Sequence, residues 1–321
     1  MDLSIVATLY YSAAYIEEFH ARVSSAAQQI TSDYEIILVD DGSPDNSLEV
    51  ALSLVARDPK VRVLELSRNF GHHKAIMTGL DHAKGDLVFL IDSDLEEAPE
   101  LLSAFHASLK SERADVVYGV QKSRRGGWFE RVSGGAFYWM FNLLSTYPVP
   151  PNLVTARLMT REYVRALVQH KDREIFLAGL WAITGFRQIA SPVDKEHKGR
   201  TTYSFVRRVV LLVNAVTSFS SRPLIFIFYL GSAVMSLSAF AGMALIVRYL
   251  FFAPFLQGWA SLMVSIWFLG GLTIFCVGIV GIYLSRVYSE TKERPYTIIR
   301  QFHEYRRKVT TEDSEEATKT R

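Results

Sequence analysis

The chain is nearly without cysteine: Cys276 stands alone among 321 residues. An internal disulfide is thereby excluded, and so is a cysteine-ligated metal cluster. Excess charge is missing too. Thirty-five basic residues against 33 acidic ones leave a formal net charge of +2, which argues against nucleic-acid binding driven by bulk electrostatics. Met1–Tyr11 has no basic leader, carries Asp2 and reads as a short strand, so no secretory signal is expected there. The most telling gap is local: between Pro223 and Ser285 the only charged residue is Arg248.

Within that gap lie two apolar stretches, about 224–247 and 260–284. Each exceeds the roughly 20 residues that span a bilayer as a helix. The segment between them holds Pro254, Gly258 and Trp259, residues suited to a turn at a membrane face. A hairpin buried in a soluble domain is the alternative, but such a hairpin would not stay uncharged on every face. Arg200, Arg207, Arg208 and Arg222 precede the first stretch; Arg286, Lys292, Arg294, Arg300, Arg306, Arg307 and Lys308 follow the second. Basic residues stay in the cytoplasm. The expectation is therefore an integral protein of a plasma membrane, of bacterial inner-membrane type, with two helices and both termini inside. Residues 201–222 read as an amphipathic juxtamembrane helix, and residues 286–321 as a basic helix with a disordered tail.

Residues 1–200 alternate strand and helix patterns, predicting an α/β fold with a mainly parallel, Rossmann-like sheet. Strands are expected at Leu3–Leu9, Glu35–Val39, Val61–Leu66, Leu87–Ile91 and Asp115–Tyr118. Three strand ends carry polar clusters: Asp40-Asp41-Gly42-Ser43, Ser67-Arg68-Asn69-Phe70-Gly71 and Asp92-Ser93-Asp94. Open parallel sheets bind ligands at that edge. Paired carboxylates are hard oxygen ligands, and Mg²⁺ or Mn²⁺ commonly bridges them to substrate phosphates. The bland readings are an acidic turn at Asp92 and Asp94, an Asx-turn or helix cap at Asp40 and Asp41, and a surface ion pair at Arg68. His72 and His73 lack a third metal ligand at suitable spacing and read as loop or helix-start residues.

Those three clusters, together with Leu95-Glu96-Glu97-Ala98-Pro99-Glu100 and Thr202-Tyr203-Ser204, resemble family 2 glycosyltransferases of the GT-A fold. The nearest group is the membrane-anchored polyprenyl-phosphate glycosyltransferases, similar to dolichol-phosphate mannose synthase. The resemblance implies an inverting transfer from a nucleotide diphosphate sugar to a polyprenyl phosphate of undecaprenyl type. Transfer to a lipid-linked saccharide and a catalytically silent membrane scaffold are the alternatives. It also implies roles for matching residues. Asp40 and Asp41 would hold the nucleobase and ribose beside Arg68; Asp92 would contact the ribose or support the metal; Asp94 and Glu96 would bind Mg²⁺ or Mn²⁺. Arg157 matches an acceptor-site arginine, and Arg200 lies on a loop that closes over phosphate. Thr155 stands where many relatives carry Asp, and Glu174 is a candidate base if the acceptor is a hydroxyl. Two-helix hairpins often pair, so a homo-oligomer is expected.

Overall fold

In a computed structural model, residues 1–121, 150, 152–173, 175–194, 220, 222–251 and 258–305 are described. They divide into two units. The first holds Met1–Arg131, Pro150–Thr201 and Pro295–Arg321, and the second Val132–Val149 and Thr202–Arg294.

The first unit is built on an eight-stranded sheet. Its first strands, β1 (Leu3–Leu9), β2 (Tyr34–Asp40), β3 (Val61–Leu66) and β4 (Leu87–Leu90), lie in the order β4-β1-β2-β3 and are all parallel. Every residue of β1 and β2 is buried, as near-continuous apolar runs require when helices cover both faces. One layer contains α1 (Ile16–Gln28), α2 (Ser47–Arg57) and α4 (Leu101–Glu112). Phe19, Leu54 and Phe105 pack there onto Leu9, Ile36 and Phe89. Helix α3 (His72–His82) covers the other face. Gly79 on α3 is needed there, since a Cβ would sit 2.5 Å from a Val6 methyl.

The remaining strands make the sheet mixed. β5 (Val116–Gln121), β6 (Leu153–Thr160) and β7 (Gln188–Val193) extend it beyond β4, with β6 antiparallel to both β4 and β5. Short helices α5 (Arg161–Leu167) and α6 (Leu177–Ile183) connect them. At the opposite edge, β8 (Ile299–Glu304) runs antiparallel to β3. The expected basic helix after the apolar region is thus corrected. Residues 299–304 form a strand because β3 offers an unpaired edge, and Arg62 of β3 stacks on Phe302. The expected disordered tail lies outside the described residues, as do residues 201–219 and 221 of the juxtamembrane segment 201–222.

The second unit contains two long helices, α7 (Arg222–Phe251) and α8 (Trp259–Thr291). Among the described residues, one stretch, Ser265–Thr291, is long and apolar enough to cross a membrane, and none of its apolar window is buried. Trp267 is 79% exposed and Ile274 75%. Apolar surface of this extent left open in a helix suits lipid rather than water.

Candidate functional site

The site is placed by strand order. From β1 the chain moves to β2 and then β3 on one side, and β4 joins β1 on the other. The crevice beyond the carboxyl ends of β1 and β4 is therefore a switch point, where such sheets bind ligands. Parallel register sets Asp40 beside Leu9 and Leu90 beside Val6. All three polar clusters emerge at this edge.

His72 opens α3 and bridges the crevice. Its Nδ1 lies 3.1 Å from the Thr8 hydroxyl on β1, and its Nε2 lies 3.5 Å from Asp92 Oδ1 after β4. The Ser93 hydroxyl donates to the Thr8 carbonyl at 2.7 Å and lies 3.1 Å from the Ser12 hydroxyl, tying the two strand ends together. His73, read with His72 as a helix-start residue, faces away. Its Nδ1 meets the Ile175 carbonyl at 3.0 Å, and burial lowers its pKa.

Asp40 and Asp41 are both buried, but their surroundings differ. Asp41 accepts from the backbone N–H groups of Phe70 at 2.7 Å and Gly71 at 3.0 Å, one on each oxygen. It fastens the loop between β3 and α3. Asp40 accepts a long 3.4 Å bond from Ser43 N–H. Burial pushes the Asp40 carboxyl up to about 6 and also raises that of Asp41. An Asx-turn before α2 is made instead by Asp45, whose Oδ1 accepts from the Ser47 N–H and hydroxyl. Gly42, at φ +60°, lets its loop lie against the next: a Cβ there would be 2.6 Å from the Arg68 carbonyl carbon and the Asn69 nitrogen. Arg68 is exposed, stacked 4.0 Å over Phe70.

Asp92, Asp94 and Glu96 do not gather into a three-ligand metal group. Among the described residues no three His, Cys, Asp or Glu do so. In the turn between them, Asp94 Oδ1 accepts from the Glu96 N–H at 2.9 Å. Asp92 Oδ1 makes no hydrogen bond, and His72 Nε2 approaches it only at 3.5 Å. Two aspartates with one oxygen so lightly held suit a hard divalent cation that draws its other ligands from phosphates and water.

Arg157, matched above to an acceptor-site arginine, is 1% exposed, with its guanidinium 2.9 Å from the centre of the Trp181 ring and bonded to the Val154 and Thr155 carbonyls. Burial pulls its pKa down to about 9. It sits on the central stretch of β6, so its side chain is committed to the interior. Thr155 is half-buried, and its N–H, like that of Ala156, is held by Glu97. Glu97 was missed as a site-building residue. The strict alternation of buried and half-buried positions from Ile91 to Pro99 is the pattern that turns it inward. Glu174 and Arg200 lie outside the described residues.

Residues 4–167 match the model of glycosyl transferase family 2. The chain belongs to glycosyl transferase family 2. A glycosyltransferase from Mycobacterium tuberculosis is 57% identical over 303 residues, 94% of this chain and 89% of its own. One from Synechocystis is 34% identical over 302 residues, 93% of this chain and 95% of its own. A prophage-derived bactoprenol glucosyl transferase of Shigella flexneri is 32% identical over 310 residues, 94% of this chain and 99% of its own. As a family 2 member, the protein carries its polar clusters inside the matched region.

Proposed function

We propose that this glycosyltransferase moves a sugar from a nucleotide diphosphate sugar to a polyprenyl phosphate of undecaprenyl type at the cytoplasmic face of a bacterial plasma membrane. The observation that carries this reading is the similarity to a bactoprenol glucosyl transferase along 99% of that protein's length. Such reach includes the apolar helices as well as the sheet. In this reading both α7 and α8 cross the bilayer, the termini stay inside, and the chain pairs with copies of itself.

The donor would lie in the switch-point crevice. Asp40 faces the nucleoside there, Asp41 holds the loop that presents Arg68 to phosphate, and His72 sets the position of Asp92. Mg²⁺ or Mn²⁺ on Asp92 and Asp94, with Glu96 adjacent, would offset charge growing on the departing diphosphate. An acceptor phosphate oxygen attacks the anomeric carbon from the face opposite the diphosphate. The bond from that carbon to the diphosphate oxygen breaks, and its electron pair leaves with the nucleoside diphosphate. Configuration inverts. The phosphate brings its own lone pair, so positioning matters more than a base. Glu174 is then unnecessary as a base, Arg200 is assigned to phosphate, and Thr155 to the acceptor side.

The test uses the full chain in lipid vesicles containing undecaprenyl phosphate, stripped with EDTA and given nucleotide sugars. Turnover is expected only after Mg²⁺ or Mn²⁺ is restored, and Asp94→Ala should abolish it. Equal turnover by Asp94→Ala and the unaltered chain would refute the metal assignment.

A further inference from the structure

The strand that follows the apolar helices reaches the chemistry at the donor edge. In the parallel register of β2 and β3, Asp40 is the direct neighbour of Glu65. Both are buried, and directly paired residues project to the same face of a sheet. Two carboxylates are thus set side by side in poor contact with water, where like charges oppose one another's ionisation. The basic side chains that answer Glu65 come from β8. His303 Nε2 is 3.0 Å from Glu65 Oε2, and an Arg300 nitrogen is 3.3 Å from Oε1. His303 is nearly as enclosed as Glu65, at 17% exposure. β8 is held in register by further bonds. Ser67 N–H donates to the Ile298 carbonyl at 2.9 Å, and the Thr297 and Thr78 hydroxyls lie 2.8 Å apart.

We propose that Glu65 and His303 are positioning residues for the donor pocket: the C-terminal strand, through His303 and Arg300, balances the charge of Glu65 and so sets the ionisation of Asp40. The inference rests on the reading of Asp40 as a nucleoside-binding carboxylate. The groups facing Glu65 are Asp40 on β2 and Arg300 and His303 on β8. Those facing Asp40 are Glu65 and Asp41, with the N–H groups of Gly42 and Ser43. Helix α2, packed on β3 and β8, carries Glu49 in its first turn and Arg57 in its last, the latter paired with Glu17. Without β8, Glu65 would stand uncompensated against Asp40, and the nucleoside carboxylate would hold its proton to higher pH. A chain cut after the apolar helices would lose donor affinity for this reason, although every residue of the crevice remained.

The experiment measures binding of UDP, GDP, TDP, CDP and ADP to the full-length protein in detergent by titration calorimetry, between about pH 5 and pH 8. Whichever nucleotide binds should show an acid limb, which Asp40→Asn removes. Glu65→Gln, which keeps the shape, should move that limb to lower pH by about half a unit, the size expected of one like charge on a neighbouring strand. His303→Gln should move it to higher pH, an opposite sign that simple loosening of the edge would not give. If Asp40→Asn loses the limb while Glu65→Gln leaves it in place or moves it upward, the inference is wrong and the donor-site reading stands. If Asp40→Asn keeps the limb, the donor-site reading itself fails, and this inference with it. Should Glu65→Gln not fold, the shift in His303→Gln alone decides, and no upward shift overturns the inference.

Discussion

Asp40 provides a sharp test, because the structure sets its contribution to folding against its place in the site. The residue is 3% exposed, and burial raises the pKa of its carboxyl from 3.8 to about 6. A rise of about two units corresponds to about 3 kcal/mol of penalty on the charged form at neutral pH. The sign follows from the direction: a carboxyl whose folded pKa lies above its unfolded one stabilises the fold only while protonated. That stability is fully present below about pH 3.8 and is lost as pH rises through about 6. Asn keeps an oxygen for the Ser43 N–H and carries no charge. Asp40→Asn is therefore expected to stabilise the fold by about 1–3 kcal/mol near neutral pH, the lower figure allowing for relaxation around the charge. The gain should vanish in acid. The assay is thermal unfolding of both proteins across pH, reading the difference in midpoint. Several degrees in favour of Asp40→Asn are expected at neutral pH, shrinking to nothing toward pH 4. A variant no more stable than the parent at neutral pH, or a difference independent of pH, would refute the reasoning.

Glu97→Ala strands the N–H groups of Thr155 and Ala156 inside the domain, and should cost about 3–5 kcal/mol, read as a lowered unfolding midpoint. Gly42→Ala forces a Cβ against the Arg68–Asn69 backbone. It is expected to weaken nucleotide binding tenfold or more (about 1.4 kcal/mol) in calorimetry while circular dichroism stays unchanged. Arg157→Ala removes the guanidinium packed on Trp181, so stability should fall by about 3 kcal/mol in the same unfolding assay. Were Arg157 instead at the acceptor, the variant would keep its stability and raise KM for the lipid.

The elements most legible in the sequence are those whose burial is most uniform. β1 to β4 are enclosed on both faces, and such strands announce themselves as apolar runs ending in polar clusters. The switch-point edge followed, and with it the places of Asp40, Asp41, Arg68, Asp92 and Asp94. β6 was not visible because Arg157 interrupts it, and the aromatic cover that makes an arginine acceptable there comes from Trp181, distant in sequence. β8 was hidden for a different reason. Ile299–Glu304 alternates weakly, is mostly exposed, and becomes a strand only through the edge of β3. The division of work between Asp40 and Asp41 was likewise beyond sequence reasoning, since it depends on which carboxylate the Phe70–Gly71 backbone meets.

The most direct measurement of the central claim is product identity. The purified full-length protein, in vesicles containing undecaprenyl phosphate and Mn²⁺, would be given radiolabelled nucleotide sugars one at a time. A lipid-soluble monoglycosyl polyprenyl phosphate is expected with one donor, identified by mass. Release of free sugar alone, or transfer that needs a lipid-linked saccharide instead, would contradict it.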